Sequence, residues 1–462
     1  MKNKTIIWGT IILMVLSFVA LALAQSDTES TTTPSASESA AAPSTVESTA
    51  APSVSDFTTP GMPDKMKSAI EKSLESEDTA AKTSEVIKPG EPAGYLGVPG
   101  APKPNVIAGL LWAIWVGWIF STVGAFGGIM AGVGHITIFG LADYAKAFGK
   151  GHPVNNLVTD SIRVSNQWLV GLSGLISSFN YYRMGRLVAP LGACLAIGGI
   201  GGSWLIPEIT AGKISLKAYL GYFGLVVFVI GGFLIYELTP KGSASKKKAK
   251  AAAKAFEQAV KEKTDVSDQG VKVLSGSWMF MWIALALVLA SALWINLVGG
   301  TKIVAYILVI AGWVMAFMIG TIRFTFFGQE FEFKAWIPMI GGVLIAALAS
   351  FLGIGGGFLY VPFLTSVSGL PMYLVAGTSA LAVLVGMIVS IFTYIVGKGV
   401  CISWGLIGAE LVGIFIGSMI GPRTSKYIPD IVLKIIFITL AFYVGIRYTT
   451  TGFLGQSWVP PF

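Results

Sequence analysis

Two cysteines and two histidines in 462 residues leave little from which to build a disulfide framework or a multi-histidine metal centre. Cys194 and Cys401 both lie beside apolar segments, at no metal-ligand spacing. Charge is scarce too. Asp, Glu, Lys and Arg together make up 12% of the chain, about half of the roughly 25% typical of soluble domains. That excludes a free cytosolic enzyme and an extended disordered chain. Phosphate-cradling loops, HExxH pairs and nucleophile–base arrangements are missing as well, so no enzyme is implied and no cofactor or metal is called for. What the chain does have is 54% hydrophobic residues, the composition of an integral membrane protein. Its net charge of +8 reads as loop charge that orients a polytopic protein, not as a nucleic-acid surface. The expected partners are the lipid bilayer and a small anion, with no nucleic acid; protein partners are left unspecified.

The N-terminus carries Lys2 and Lys4, then an apolar stretch to Leu21 and a small-residue site at Ala22-Leu23-Ala24. This is expected to be a signal peptide over 1–24, or else an uncleaved anchor. Residues 25–104 read as an extracytoplasmic disordered stalk and linker, because Ser, Thr, Ala, Pro and Glu predominate in its first part; a short polar helix over 64–77 is the exception. Apolar spans of about 20 residues suit a bilayer core about 30 Å thick. They fall at 106–125, 127–141, 154–182, 187–207, 216–238, 276–297, 303–322, 336–351, 355–366, 373–396, 402–420 and 431–448. The loop at 239–275, with Lys246, Lys247, Lys248, Lys250, Lys254, Lys261 and Lys263, is expected in the cytoplasm by the positive-inside bias. A binding tail for an anionic partner is the other reading of that loop. The organisation that follows is a first repeat at 105–238, the basic loop, an inserted helix pair at 276–334, a second repeat at 335–450 and a tail at 451–462.

Five landmarks recur in order. Gly132 and Gly134 match Gly353 and Gly355; Gly151 and Pro153 match Gly369 and Pro371; Asp160 and Ser161 match Thr378 and Ser379. Tyr182, Gly185 and Arg186 match Tyr394, Gly397 and Lys398, and Gly198, Gly202 and Ser203 match Gly413, Gly417 and Ser418. Easy alignment of glycine-rich helices is the alternative explanation. Counting spans starts one unit outside and the other inside, so the predicted fold is an all-α polytopic bundle of two inverted repeats with broken, glycine-rich helices. Such carriers place their substrate near the midplane, at the broken helices.

Gly355, Gly356 and Gly357, just before Pro362, are expected to interrupt a helix and present free backbone N–H groups to an anion, unless they only permit close packing. Gly134 and His135 are the expected counterpart, His135 acting as a donor or proton acceptor or as a plain capping residue. On the 154–182 helix, Asn156, Asp160, Arg163 and Gln167 share one stripe. Ionisable groups in a span are costly, so Arg163 either attracts an anion, with Asp160 tuning it, or pairs structurally with Asp160. Glu410 is a further deep carboxylate, for proton coupling or as a hydrogen-bonded structural acid.

With Gly353-Ile354-Gly355-Gly356-Gly357-Phe358-Leu359-Tyr360-Val361-Pro362, the Gly369-Leu370-Pro371 step and Ala376-Gly377-Thr378-Ser379 in view, the chain resembles the TauE/SafE sulfite-exporter family over about residues 105–450. The resemblance implies a carrier of sulfite, organosulfonates or related small anions. His135 at a glycine position, Asp160-Ser161 in place of Thr378-Ser379, and the inserted helix pair depart from that pattern. The expected function is secondary transport of a small sulfur oxyanion by alternating access in the cell (inner) membrane. Direct contacts are assigned to Gly134, His135, Asn156, Arg163, Gly355, Gly356, Gly357, Thr378 and Ser379, and coupling to Asp160 and Glu410. A passive anion channel, or a receptor or scaffold acting through the stalk and basic loop, are the alternatives.

Overall fold

The computed structural model describes residues 54–210, 216–239, 247–262, 269–298, 301–350 and 357–459. The expected signal peptide, the stalk up to residue 53, and the glycines Gly353, Gly355 and Gly356 lie outside these residues. In chain order the helices of the first half are α1 Asp64–Leu74, α2 Glu77–Val86, α3 Val106–Val123, α4 Gly127–Val133, α5 Leu141–Ala147, α6 Pro153–Arg183, α7 Ala189–Thr210 and α8 Leu216–Leu238. After them come α9 Lys247–Lys261, β1 Lys272–Ser275, α10 Trp278–Leu293, α11 Lys302–Met318, β2 Thr321–Phe326, β3 Gln329–Lys334, α12 Trp336–Ser350, α13 Gly357–Pro362, α14 Met372–Phe392, α15 Trp404–Ser425 and α16 Asp430–Leu454. Among the described residues, five stretches are long and apolar enough to cross a membrane: Val106–Val123, Trp278–Val298, Met372–Gly397, Trp404–Ser425 and Asp430–Leu454. The helical membrane protein expected from composition is thus what the chain forms.

The chain divides into two compact units. One takes the chain up to Pro104 with Phe139–Ser161 and Gly399–Ser403. Within it, Met66 and Ile70 lie one turn apart on α1 and are fully buried, with Phe57, Met62 and Ile87. The Ser76 hydroxyl caps α2 by accepting from the Thr79 amide, satisfying a donor that the helix itself cannot. Helix α1 falls where a short polar helix was expected, at 64–77, while α2 and the packing around it give the segment an order that the stalk-and-linker expectation did not include. Large apolar residues are sparse there, but their spacing buries nearly all of them.

The other unit holds Asn105–Ile138, Ile162–Lys398 and Trp404–Phe462. Its main pairings are α3 with α15, α12 with α7, and α8 with α16. Helix α3 of the first half thus packs on α15 of the second, and α12 of the second half on α7 of the first. Glycines make the approach possible. A Cβ on Gly417 of α15 would collide with the Ile114 backbone of α3, and one on Gly198 of α7 with the Met339 backbone of α12. Close backbone contact is how helices gain packing energy where lipid offers no hydrophobic drive. The inserted α10 and α11 pack on each other and on α7.

Two regions differ from expectation. The spans at 127–141 and 355–366 are not single helices: α4 and α13 run for seven and six residues and end in π-helical turns, Gly134–Ile138 and Phe363–Val367. The basic loop and the end of the 303–322 span are also more structured than predicted. Helix α11 stops at Met318, and β2 and β3 form a hairpin whose other edge pairs with β1. Thr321-Ile322-Arg323-Phe324-Thr325-Phe326 alternates with period two, a strand pattern, and the turn at Phe327 and Gly328 has both φ angles positive, 48° and 71°, as a two-residue type I′ hairpin requires. Helix α9 lays Ala252, Ala253 and Phe256 against this sheet's aromatic face, the Phe256 ring centroid 5.4 Å from that of Phe327.

Candidate functional site

Helix α3 ends at Gly124, which takes a left-handed conformation (φ 76°) and donates its N–H to Phe120 O. A side chain there would be strained by the φ and would strike Ala376 and Ser379 of α14. Two residues later Phe126 also has a positive φ, 68°, an outlier for a bulky residue. Its ring is held against Phe358 and Phe437, with centroids 6.1 and 5.0 Å away. The reversal lets α4 start afresh at Gly127, and Gly357, the first described residue of α13, faces the same place. Gly127, Gly128, Gly357 and Phe358, with Phe120, Phe126, Ile129 and Val170, line a cavity of about 10 Å³, room for about one water. Free amides at a helix start carry positive potential, so the start of α4 is a place where an anion would be stabilised.

Gly357 is the first described residue of α13, so the helix start expected at residues 355–357 falls at the edge of the described residues. Gly134 is not at a helix start: it stands at the C-terminal end of α4. The start in the first half is Gly127, seven residues upstream, and the pair Gly127-Gly128 after Phe126 was the available signal. Gly355 and Gly356 lie outside the described residues.

Thr378 and Ser379 are fully buried, but their hydroxyls serve the fold. Thr378 Oγ1 donates to Leu374 O (2.7 Å) and accepts from Val188 N (3.1 Å) at the entry to α7. Ser379 Oγ donates to Gly124 O (2.9 Å), clamping the bend before α4. Asn156 is exposed and its amide caps a loop through Gly151 O. Arg163, half-buried, sits one turn before Asn166 on α6; Asp160 is half-buried in the first turns of that helix.

His135 and Glu410, far apart in sequence, come together. The His135 Nε2 lies 3.0 Å from Glu410 Oε2 on α15, and Nδ1 lies 2.6 Å from Asn166 Oδ1 on α6. Each of the two ionisable side chains is 1% exposed. An amide oxygen can only accept, so Nδ1 carries the hydrogen and Nε2 shares one with the carboxyl group. His135 thus faces protein partners through both nitrogens. Asn166 was missed in the sequence, being off the Asn156–Gln167 stripe. Five further buried polar atoms on α3 and α6, Thr122 Oγ1, Ser165 Oγ, Gln167 Oε1, Ser177 Oγ and Ser178 Oγ, have no hydrogen-bond partner. Buried polar groups are usually paired, so these are candidates to meet water or a polar ligand. A cleft of about 670 Å³ is lined by Val229, Trp336, Ile340, Leu344, Phe363 and Val367 among others; such walls suit acyl chains, not an anion.

Residues 267–448 match the sulfite exporter TauE/SafE family. A protein of Methanocaldococcus jannaschii named as a probable membrane transporter protein is 33% identical over 116 residues, 23% of this chain and 43% of its own length. The chain thus spans less than half the length of that relative. No solved structure matches.

Proposed function

We propose that this chain, whose residues 267–448 match the sulfite exporter TauE/SafE family, is a secondary carrier of a small anion, of the sulfite or organosulfonate class, working by alternating access in a cell membrane. The observation that carries this reading is the start of α4 at Gly127 and Gly128, with Gly357 of α13 lining the same cavity. Backbone amides at the ends of short helices bind an anion without requiring a buried cation. Their cavity holds about one water, so an oxyanion enters only when the short helices separate. The exchanged pairing, α3 on α15 and α12 on α7, supports two halves that rock against each other, as in carriers built from inverted repeats. Thr122, Gln167, Ser177 and Ser178 supply polar groups for the path, and half-buried Arg163 draws the anion in. In this orientation the basic segment around α9 faces the cytoplasm, following the positive-inside bias.

The test is uptake into proteoliposomes of sulfite, sulfate, thiosulfate and sulfoacetate, with and without a pH gradient. Saturable flux that shows counterflow is expected for at least one of them, and Arg163→Ala is expected to reduce it more than tenfold with normal membrane insertion. Flux no faster than in empty liposomes would overturn the assignment, and flux that never saturates would make the protein a channel.

A further inference from the structure

We infer that His135 and Glu410 form the proton-loading site of this carrier, with Asn166 as the residue that positions the imidazole. The inference rests on the carrier reading above and names how the same site is energised.

The hydrogen bonds set the chemistry. Asn166 Oδ1 fixes the hydrogen on Nδ1, which leaves Nε2 and Glu410 Oε2, 3.0 Å apart, to share a single proton. Imidazole with carboxylic acid, or imidazolium with carboxylate, gives the pair no net charge. A second proton, taken from water, forms an O–H or N–H bond and yields imidazolium beside carboxylic acid, net charge +1. Release to water on the far side breaks that bond and restores the neutral pair. The pair is therefore a one-proton store whose charge, when loaded, offsets that of a monovalent anion.

Its place in the fold links it to the substrate. His135 lies in the π-helical turn that ends α4, the helix whose opposite end lines the small cavity at Gly127 and Gly128. Such turns interrupt helices mainly at functional sites. Asn166 comes from α6 and Glu410 from α15, so loading bears on three elements at once; Arg163, one turn before Asn166 on α6, is the neighbouring cation on that helix. From α3, uncharged Trp112 reaches Met130 O of α4 through its indole N–H (2.9 Å). A purely structural role is a poor account of the pair, because buried ion pairs add little stability over apolar packing, and ionisable groups in apolar spans usually serve function. The π-helical turn after α13, Phe363–Val367, holds no ionisable residue, and its Thr365 hydroxyl bonds Val361 O. One proton site serves the anion cavity, which sets one proton per cycle.

The experiment compares two modes in proteoliposomes. Counterflow needs only exchange of substrate, whereas accumulation under a pH gradient needs the proton. Glu410→Gln and His135→Gln are each expected to lower gradient-driven accumulation at least tenfold while slowing counterflow by no more than threefold, with thermal melting in detergent near that of the wild type. Asn166→Ala is expected to displace the pH profile of uptake. Accumulation at the wild-type level in Glu410→Gln, loss of both modes in a well-folded variant, or wild-type accumulation insensitive to a pH gradient would overturn the inference and leave the carrier reading standing. If the wild type moves none of the anions, the carrier reading fails, and infrared difference spectra across a pH step decide the proton site. A titrating carboxyl band lost in Glu410→Gln supports it; no such band in the wild type overturns it.

Discussion

The His152 imidazole lies 3.1 Å from the Thr83 hydroxyl, a bond that ties the loop before α6 to α2 within the smaller unit. His152 Nδ1 accepts the Val154 N–H (3.2 Å), and Nε2 reaches Thr79 O (3.2 Å). The imidazole is thus held as the neutral tautomer with its hydrogen on Nε2. Thr83 in turn meets Ser73 across 2.7 Å, so one ring anchors both helices of the unit.

Acid should loosen that unit. Burial holds the His152 ring below its ordinary 6.5, and the Thr79 carbonyl offsets this only in part. A lowered folded value means that the unfolded unit binds a proton first, so stability is complete above about pH 6.5 and falls as pH drops toward the folded value. Amide exchange in α2 is the measurement: protection falls below about pH 6.5 in the wild type and stays level in His152→Gln. An equal slope in both proteins would count against the linkage.

Close packing at Gly417 should be intolerant of any side chain. The Cβ of Gly417→Ala meets backbone of α3, not the movable end of a side chain, so the helices must part, at a cost of about 1–3 kcal/mol or more. Gly408 on the same helix has nothing within 4 Å, and Gly408→Ala is expected to be neutral or to stabilise by up to about 1 kcal/mol. Melting of the detergent-purified protein reads both. Equal effects of the two substitutions would contradict the assigned α3–α15 seam.

Arg186 should not be replaceable by lysine. Its guanidinium donates to Tyr373 O, Pro422 O and Ser425 Oγ, each at 3.3 Å, and lies over the rings of Tyr181, Phe256 and Tyr373 at 4.8, 5.1 and 5.3 Å. An ammonium cannot reproduce this planar fork. With one or two buried acceptors left unmet, Arg186→Lys is expected to lose about 1–3 kcal/mol and to expose α9, which holds Phe256, to protease. Wild-type melting and protease resistance would show that the cage is dispensable.

Span positions were legible in the sequence because each helix must satisfy its own backbone within lipid. The ends of α3, α6 and α8 fall within two residues of expectation, set by local signals such as the Asn105 cap, whose Oδ1 accepts from Ile107 and Ala108, and Pro153. The glycine rows Gly198-Gly202 and Gly413-Gly417 were visible as well, though their use as packing seams was not. The site was read less well. Placing the first-half break at Gly134 instead of Gly127 followed from matching a glycine spacing without the positive-φ turn at Phe126 that makes the break. Thr378 and Ser379 drew attention as paired hydroxyls, yet hydroxyls in helices readily bond nearby carbonyls, and here both are taken up.

From its sequence alone the chain had to be a helical membrane protein, because 54% hydrophobic and 12% charged residues leave no soluble alternative and helices are the local answer to unsolvated peptide groups. Which helices touch was settled only in three dimensions. His135 meets Glu410 across 275 positions of chain, and the start of α4 and Gly357 of α13 line one cavity. Between helices already in lipid, partners are chosen by shape, small-residue seams and buried hydrogen bonds, and those depend on surfaces that exist only once the helices have packed.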